Sequence, residues 1–120
     1  MIYLASPYTH EDPFIRERRF RAVCAAAGRL MRDGLTVFSP IAHSHSIAQM
    51  CDLPTTYAWW STQDDALLQR CDELYVLTLR GWDMSEGVSA EIELAKLFGL
   101  PVKYLPPNEN ERKILRGEDQ

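Results

Sequence analysis

The chain carries no block of basic residues and has little excess charge. Its 120 residues include 13 lysines and arginines against 17 aspartates and glutamates, a formal net charge of -4. Sequence-independent binding to the phosphates of a nucleic acid polymer requires a patch of basic residues. We therefore expect no nucleic acid polymer as a partner and a small molecule as the ligand.

Long apolar runs and cysteine motifs are also missing. No stretch approaches a membrane span and the first strand-like residues begin at Ile2, so we expect a cytoplasmic chain with no membrane partner. Cys24, Cys51 and Cys71 show no CxxC spacing, which favours reduced thiols over a disulfide framework. The absence of HExxH and paired-cysteine patterns predicts no metal site. Without Gly-x-Gly-x-x-Gly or a Walker loop, no cofactor is predicted.

Short apolar segments alternate with segments of helical periodicity. Strands are predicted at residues 2–5, 35–38, 73–79 and 102–105. Helices are predicted at residues 14–32, 56–70 and 88–98. This alternation is typical of a parallel sheet with helices on both faces. We predict a three-layer Rossmann-like or flavodoxin-like α/β domain with a parallel sheet of about five strands.

Two segments lack a clear pattern. Residues 41–55 contain His43, His45 and Pro54 without periodicity, which indicates a loop with no more than a helical turn. The chain beyond residue 105 is polar, and a helical turn at 110–116 has too little apolar surface to anchor firmly. We therefore assign residues 1–105 to the domain and residues 106–120 to a polar C-terminal tail.

Polar residues follow three of the predicted strands. Ligands of open parallel sheets bind beyond the carboxyl ends of the strands, so these residues should share one edge. Glu91 is the sharpest candidate because it follows Gly87 near the start of a helix, where the helix dipole favours an exposed, ionised carboxylate. Such a carboxylate can act as a nucleophile, although capping preference alone also places glutamate there.

Several segments resemble the nucleoside deoxyribosyltransferase superfamily, which includes deoxynucleoside monophosphate N-glycosidases. Residues 3–8, Tyr-Leu-Ala-Ser-Pro-Tyr, are similar to its opening motif Tyr-Leu-Ala-Gly-Pro-aromatic. Asp64, Leu68 and Asp72 match its Asp, aliphatic, Asp spacing. Residues 87–92, Gly-Val-Ser-Ala-Glu-Ile, resemble its Gly-x-x-x-Glu-Ile nucleophile motif.

The ordered resemblance runs from residue 2 to about residue 105. Gly-Leu-Pro-Val at 99–102 resembles the usual ending of the superfamily. The run Ser-Pro-Ile-Ala-His-Ser-His at 39–45 resembles an uncharacterised subgroup of bacterial and phage proteins placed near the superfamily. The superfamily commonly forms homo-oligomers, so the resemblance also implies a dimer or tetramer.

The resemblance implies that the chain binds a nucleoside or nucleoside 5′-monophosphate and cleaves or transfers its N-glycosidic bond. Glu91 would be the catalytic nucleophile, and Tyr8 would hydrogen-bond to it and position it. Asp64 would interact with the leaving base through the ring nitrogen or exocyclic group of that base. The expected substrate-binding residues are Ser6, His43, His45, Ser85, Gly87 and Ser89. For the two histidines, structural hydrogen bonding remains an equal alternative.

Three positions depart from the superfamily pattern and keep a second function open. Ser6 and Glu93 replace glycines, and Ser85 stands where the transferases carry an acidic residue. A serine hydroxyl beside free helix N–H groups can hold phosphate oxygens, which favours a 5′-monophosphate, whereas Glu86 and Glu93 add opposing negative charge. The alternative is a non-catalytic nucleotide-binding or sensing module of the same fold.

Other bulky or basic residues have ordinary interpretations. Trp59 and Trp60 are interpreted as packing in the core or a subunit interface rather than on a base, because adjacent helical residues point in different directions. Arg16, Arg18 and Arg19 are interpreted as a solvated helix face, with Arg16 near enough to the helix start to approach an anion.

Overall fold

Strands and helices alternate along residues 1–118, the part of the chain that the computed structural model describes. The strands are β1 (Ile2–Ala5), β2 (Val37–Phe38), β3 (Glu73–Leu77) and β4 (Val102–Leu105). The helices are α1 (Pro13–Arg32), α2 (Pro40–Cys51), α3 (Tyr57–Leu68), α4 (Glu86–Leu97) and α5 (Glu109–Arg116). A short 3₁₀ turn, Trp82–Met84, leads into α4.

The strands form one parallel sheet in the order β2-β1-β3-β4. Ile2 of β1 lies between Val37 of β2 and Glu73 of β3, and Leu74 of β3 pairs with Val102 of β4. The order reverses between β1 and β3, as in doubly wound sheets, where the diverging loops open a crevice at the carboxyl edge. The parallel α/β class is therefore confirmed.

The predicted strand count is too high by one. Within residues 1–118 the sheet has four strands, and the chain beyond β4 forms α5 instead of a fifth strand. That segment is mostly polar, so it has too few apolar residues for a strand buried on both faces. Its helix instead packs on α1.

Alternating side chains of the sheet build a core on each face. Leu4 and Leu77 point to the face covered by α1 and α5. Tyr3, Ala5 and Val76 point to the opposite face, covered by α3 and α4. This period of two is the pattern expected of strands buried on both sides, and it produces three layers. It also directs Tyr3 toward α4.

Residues 40–51 are a helix, so the prediction of a loop there is wrong. Ser39 caps the helix by accepting the Ala42 N–H at 3.1 Å, and Pro40 occupies the first turn. Asp52 ends it in the left-handed conformation, with φ 53°. A serine followed by proline is a helix-start signal that does not depend on apolar periodicity. The helix buries His45 and leaves His43 exposed.

The C-terminal helix α5 is anchored to α1, which corrects the expectation of a weakly held tail. Glu111 is fully buried and accepts hydrogen bonds from Arg29 at 2.7 and 3.0 Å. Asn108 and Glu111 also form a reciprocal capping box, and Ile114 joins the core. A buried ion pair thus replaces the apolar surface that the segment lacks. No helix in the described part of the chain is long and apolar enough to cross a membrane.

Candidate functional site

A cavity of about 440 Å³ lies beyond the carboxyl ends of β1 and β3. Its walls come from the loops after these strands, from α2 and α3, and from the start of α4. The volume is in the range typical of small-molecule sites. The cavity occupies the crevice at which the strand order reverses, where ligands of such sheets bind.

Most of the residues predicted for the site line this cavity. They are Ser6, Tyr8, His45, Asp64, Ser85, Gly87 and Glu91. His43 and Ser89 are exposed and lie outside the lining, so the structure does not bring them to the site. His43 lies two residues before His45 on α2, and residues so spaced do not share a helix face. The Ser89 N–H donates to the Ser85 carbonyl at 3.0 Å.

Glu91 is buried, contrary to the expectation of an exposed, ionised carboxylate. Its exposure is 6%, and burial raises the pKa of its carboxyl to about 8, assisted by the charges of Asp64 and Asp65 and opposed by a hydrogen bond from Tyr3. Glu91 is the sixth residue of α4. The helix dipole and the free N–H groups act within the first turn, and Glu91 lies beyond that turn. At neutral pH its carboxyl is mainly protonated in the free protein.

Tyr3, rather than Tyr8, donates a hydrogen bond to Glu91. Tyr3 is fully buried in a central strand and faces the layer that contains α4. Burial and the neighbouring Glu91 carboxylate raise the pKa of its phenol far above the ordinary value, so Tyr3 remains a donor. The predicted contact of Tyr8 with Glu91 is wrong because Tyr8 lies past the strand end, where its hydroxyl meets Nδ1 of His45 at 2.6 Å.

Two buried polar atoms of the cavity wall have no protein partner within residues 1–118. They are Oγ of Ser6 and Oδ1 of Asp64. Burial and the nearby charge of Asp65 raise the pKa of Asp64 to about 6. Unpartnered buried polar groups are rare and costly, so atoms of this kind beside a cavity mark places where an ordered water or a ligand can hydrogen-bond.

The start of α4 forms one wall. Ser85 is its N-cap and accepts the Val88 N–H at 3.2 Å. An added Cβ on Gly87 would lie 3.1 Å from Cδ1 of Tyr57, so glycine permits the close approach of that ring. The first N–H groups of a helix lack intrahelical partners, which makes this wall suited to an anion.

Arg19 also lines the cavity, a position that sequence reasoning missed. Its Nη1 donates to the Thr9 carbonyl at 2.9 Å, and partial burial lowers its pKa. The guanidinium remains a cation, since arginine stays protonated in proteins. The signal was its spacing: Arg19 continues the inward stripe of Val23, Ala26 and Leu30 on α1. A solvated face was therefore the wrong interpretation for Arg19.

Aromatic side chains supply an apolar part of the lining. Trp60 borders the cavity and donates its Nε1–H to the Pro54 carbonyl at 2.7 Å. Trp59 is half-exposed and meets the Trp60 ring edge-on, with centroids 5.0 Å apart. Tyr57 borders the same cavity and donates its hydroxyl to Asp65 at 3.1 Å. Trp60 thus lines a site, contrary to its interpretation as core or interface packing.

Comparison with protein-family models assigns the chain to one family. A search of curated proteins finds no match. Among residues 1–118, no group of three or more His, Cys, Asp or Glu side chains is placed to hold a metal ion. A family model described as "Domain of unknown function (DUF1937)" matches residues 1–105, which contain β1 to β4 and the whole cavity lining. The chain belongs to the DUF1937 family.

Proposed function

We propose that the cavity binds a nucleoside or a nucleoside 5′-monophosphate and that the protein cleaves or transfers its N-glycosidic bond. The observation that carries this proposal is the buried carboxyl of Glu91 together with the partly buried carboxyl of Asp64 in one cavity of small-molecule size. Two carboxyls with separated pKa values are the groups that cleavage at an anomeric carbon requires. The motifs around both residues resemble those of enzymes with this chemistry.

In the proposed reaction Glu91 is the nucleophile and Asp64 the acid. The ionised Glu91 carboxylate attacks the anomeric carbon while the bond to the base breaks, and Asp64 gives its proton to the departing base. Water or a second base then attacks the same carbon and releases the Glu91 carboxylate. Tyr3 positions Glu91 and stabilises its ionised form through the hydrogen bond to Oε2.

The remaining walls suit the other parts of a nucleotide. The rings of Tyr57 and Trp60 offer apolar surface to a base. Arg19, the Ser85 hydroxyl and the first N–H groups of α4 suit a phosphate. We therefore extend the proposal to a preference for 5′-monophosphates, which the positive charge of Arg19 supports and the exposed Glu86 opposes.

A second candidate is a nucleotide-binding module without turnover. The pKa of Glu91, about 8, favours it, because a protonated carboxyl is a poor nucleophile. This candidate uses the same cavity and the same unpartnered atoms of Ser6 and Asp64. It differs from the first only in leaving the ligand intact.

The first experiment incubates the protein with a panel of nucleosides and their 5′-monophosphates, with and without a second free base. Chromatography measures the base that is released or exchanged. Under the enzymatic proposal, activity appears in the wild type, disappears in Glu91→Ala and persists in Glu93→Gln, an exposed position on the same helix. Activity that survives in Glu91→Ala refutes the proposed nucleophile.

Two further measurements separate the finer alternatives. An intact panel whose nucleotides nevertheless raise the melting temperature identifies the binding module. Arg19→Gln should weaken monophosphate binding roughly tenfold to a hundredfold, the usual loss of a charge-assisted hydrogen bond, without changing nucleoside binding. Equal losses for both ligand classes would remove the phosphate preference.

We also propose that the protein forms a homo-oligomer. Large apolar side chains are exposed near the cavity and on α4, among them Trp59, Met84 and Leu97. Exposed apolar surface of this kind is typical of contacts between chains. Light scattering coupled to size exclusion measures the mass directly, and a monomer at all concentrations refutes the proposal.

A further inference from the structure

Tyr8, His45 and Glu17 form a continuous hydrogen-bonded chain that starts in the cavity wall. The Tyr8 hydroxyl lies 2.6 Å from Nδ1 of His45, and Nε2 of His45 lies 3.0 Å from Oε1 of Glu17. His45 is buried, with 4% exposure, and the Phe20 ring stacks on it with centroids 4.1 Å apart. The Glu17 side chain is 45% exposed. The chain therefore connects the cavity to solvent through an imidazole held in one plane.

The chemistry of the three groups fixes the direction of each hydrogen bond. A carboxylate only accepts, so Nε2 of a neutral His45 carries the hydrogen and Nδ1 is the acceptor. Tyr8 then donates its single hydroxyl hydrogen to Nδ1. Burial raises the pKa of Tyr8, although the charge of Arg16 and a hydrogen bond from its guanidinium oppose this, so the phenol keeps its proton. The Tyr8 oxygen accepts from Arg16 with one lone pair and has a second lone pair for a group in the cavity.

We propose that Tyr8, His45 and Glu17 act as a proton relay that removes a proton from an O–H group in the cavity. The O–H group gives its proton to the Tyr8 oxygen as the original Tyr8 proton moves to Nδ1 of His45. The O–H bond of the cavity group and the original O–H bond of Tyr8 break. A new O–H bond on Tyr8 and an N–H bond on Nδ1 of His45 form, which leaves an imidazolium beside the Glu17 carboxylate. Glu17 is a positioning residue: it sets the His45 tautomer and stabilises the imidazolium.

The relay deepens the proposed function and rests on it for the identity of the O–H group. In hydrolysis that group is the water that attacks the glycosyl-enzyme, which must lose a proton as it bonds to carbon. His45 is the only imidazole in the cavity lining formed by the described residues. The half-exposed Glu17 gives the imidazolium a place to exchange its proton with solvent.

The hydrogen-bond assignment is tested without any ligand. Two-bond ¹⁵N–¹H correlation spectra of histidine-labelled protein report which ring nitrogen of each histidine is protonated, and His45→Gln assigns the His45 signals. The relay predicts a neutral ring with hydrogen on Nε2 alone. Glu17→Leu removes the acceptor and should lose that single tautomer, whereas Glu11→Leu, an exposed control, should keep it. Hydrogen on Nδ1 in the wild type, or an unchanged tautomer in Glu17→Leu, overturns the relay.

The proton transfer is tested by hydrolysis of the four common 2′-deoxynucleoside 5′-monophosphates. Tyr8→Phe should lower kcat roughly 10²–10⁴-fold, the usual contribution of a general base. The double variant with Glu17→Gln should lose no more than Tyr8→Phe alone, because both substitutions break one relay. The relay is overturned if the loss of kcat in the double variant equals the product of the two single losses, or if kcat for Tyr8→Phe is within about twofold of the wild type.

Failure of the proposed function gives a different result. If the wild type neither binds nor cleaves these monophosphates or their nucleosides, the proposed function fails. The ¹⁵N spectra then still decide between a Tyr8 that donates to His45 and one that does not. Thermal melting of each variant confirms that it is folded before its spectrum or rate is compared.

Discussion

The buried carboxyl of Glu91 should make the stability of the fold depend on pH, and Glu91→Gln should remove that dependence. The pKa of Glu91 is about 8 in the folded protein, against an ordinary value of 4.5. Between these values the folded state holds a proton that the unfolded state has released. The stabilisation is therefore complete below about pH 4.5, declines as the pH rises, and is lost above about pH 8.

The magnitude follows from the difference between the two pKa values. A difference of about 3.5, at ~1.4 kcal/mol for each pKa unit, corresponds to on the order of 5 kcal/mol in the free energy of unfolding. Glutamine has the shape of the protonated carboxyl, accepts the Tyr3 hydrogen bond and does not titrate. The stability of Glu91→Gln relative to the wild type should thus rise by about 1.4 kcal/mol per pH unit between these limits.

Urea unfolding of both proteins at several pH values between about 5 and 8 measures this difference. Subtracting the wild type removes the contribution of Asp64, which both proteins share. Glu93→Gln, an exposed change on the same helix, should leave the wild-type dependence intact. A difference between Glu91→Gln and the wild type that stays constant across the range would show that Glu91 titrates normally, and the argument from burial would fail.

Three further predictions test the surrounding contacts. Tyr3→Phe removes the bond that favours ionised Glu91, so the carboxyl ¹³C titration of Glu91 should move above about pH 8; a lower midpoint contradicts this. Under the proposed function the active form has ionised Glu91 and protonated Asp64, so kcat/KM should rise to about pH 6, stay level and fall above about pH 8, and Asp64→Asn should lose the fall above pH 8. Arg29→Met leaves buried Glu111 without its cation and should cost about 3–5 kcal/mol in urea unfolding; a loss below about 1 kcal/mol contradicts a buried ion pair.

The position of the cavity was predictable because it depends on strand order and strand ends. The apolar runs at 2–5 and 73–79, each followed by polar loop residues, indicate parallel strands that end at one edge. Ser6 and Glu91, which follow β1 and β3, meet there for that reason, and predicting this needs only the topology. Asp64 lies within α3, and its place in the site was expected only from the resemblance of its spacing.

The directions of individual side chains were harder to predict because they depend on exact register. In the sequence Tyr3 is one more apolar residue of a buried strand, yet its hydroxyl donates a hydrogen bond to Glu91 on α4. His43 and His45 are equivalent candidates in a loop, and only the helix beginning at Pro40 separates them. A polar group at the end of a large buried side chain leaves no periodic signal in the sequence.

Under the proposed function, the two cavity carboxyls need protonation states opposite to the prevailing ones. Glu91 must be ionised although its pKa is about 8, and Asp64 protonated although its pKa is about 6. With pKa values about 2 apart, on the order of one molecule in a hundred has both states in the free protein. Positive charge at the anomeric carbon stabilises ionised Glu91, and that charge is largest in the transition state. Under the proposed function the cavity is therefore better matched to the sugar in the transition state than to the bound sugar before reaction, which is the condition for catalysis rather than for binding alone.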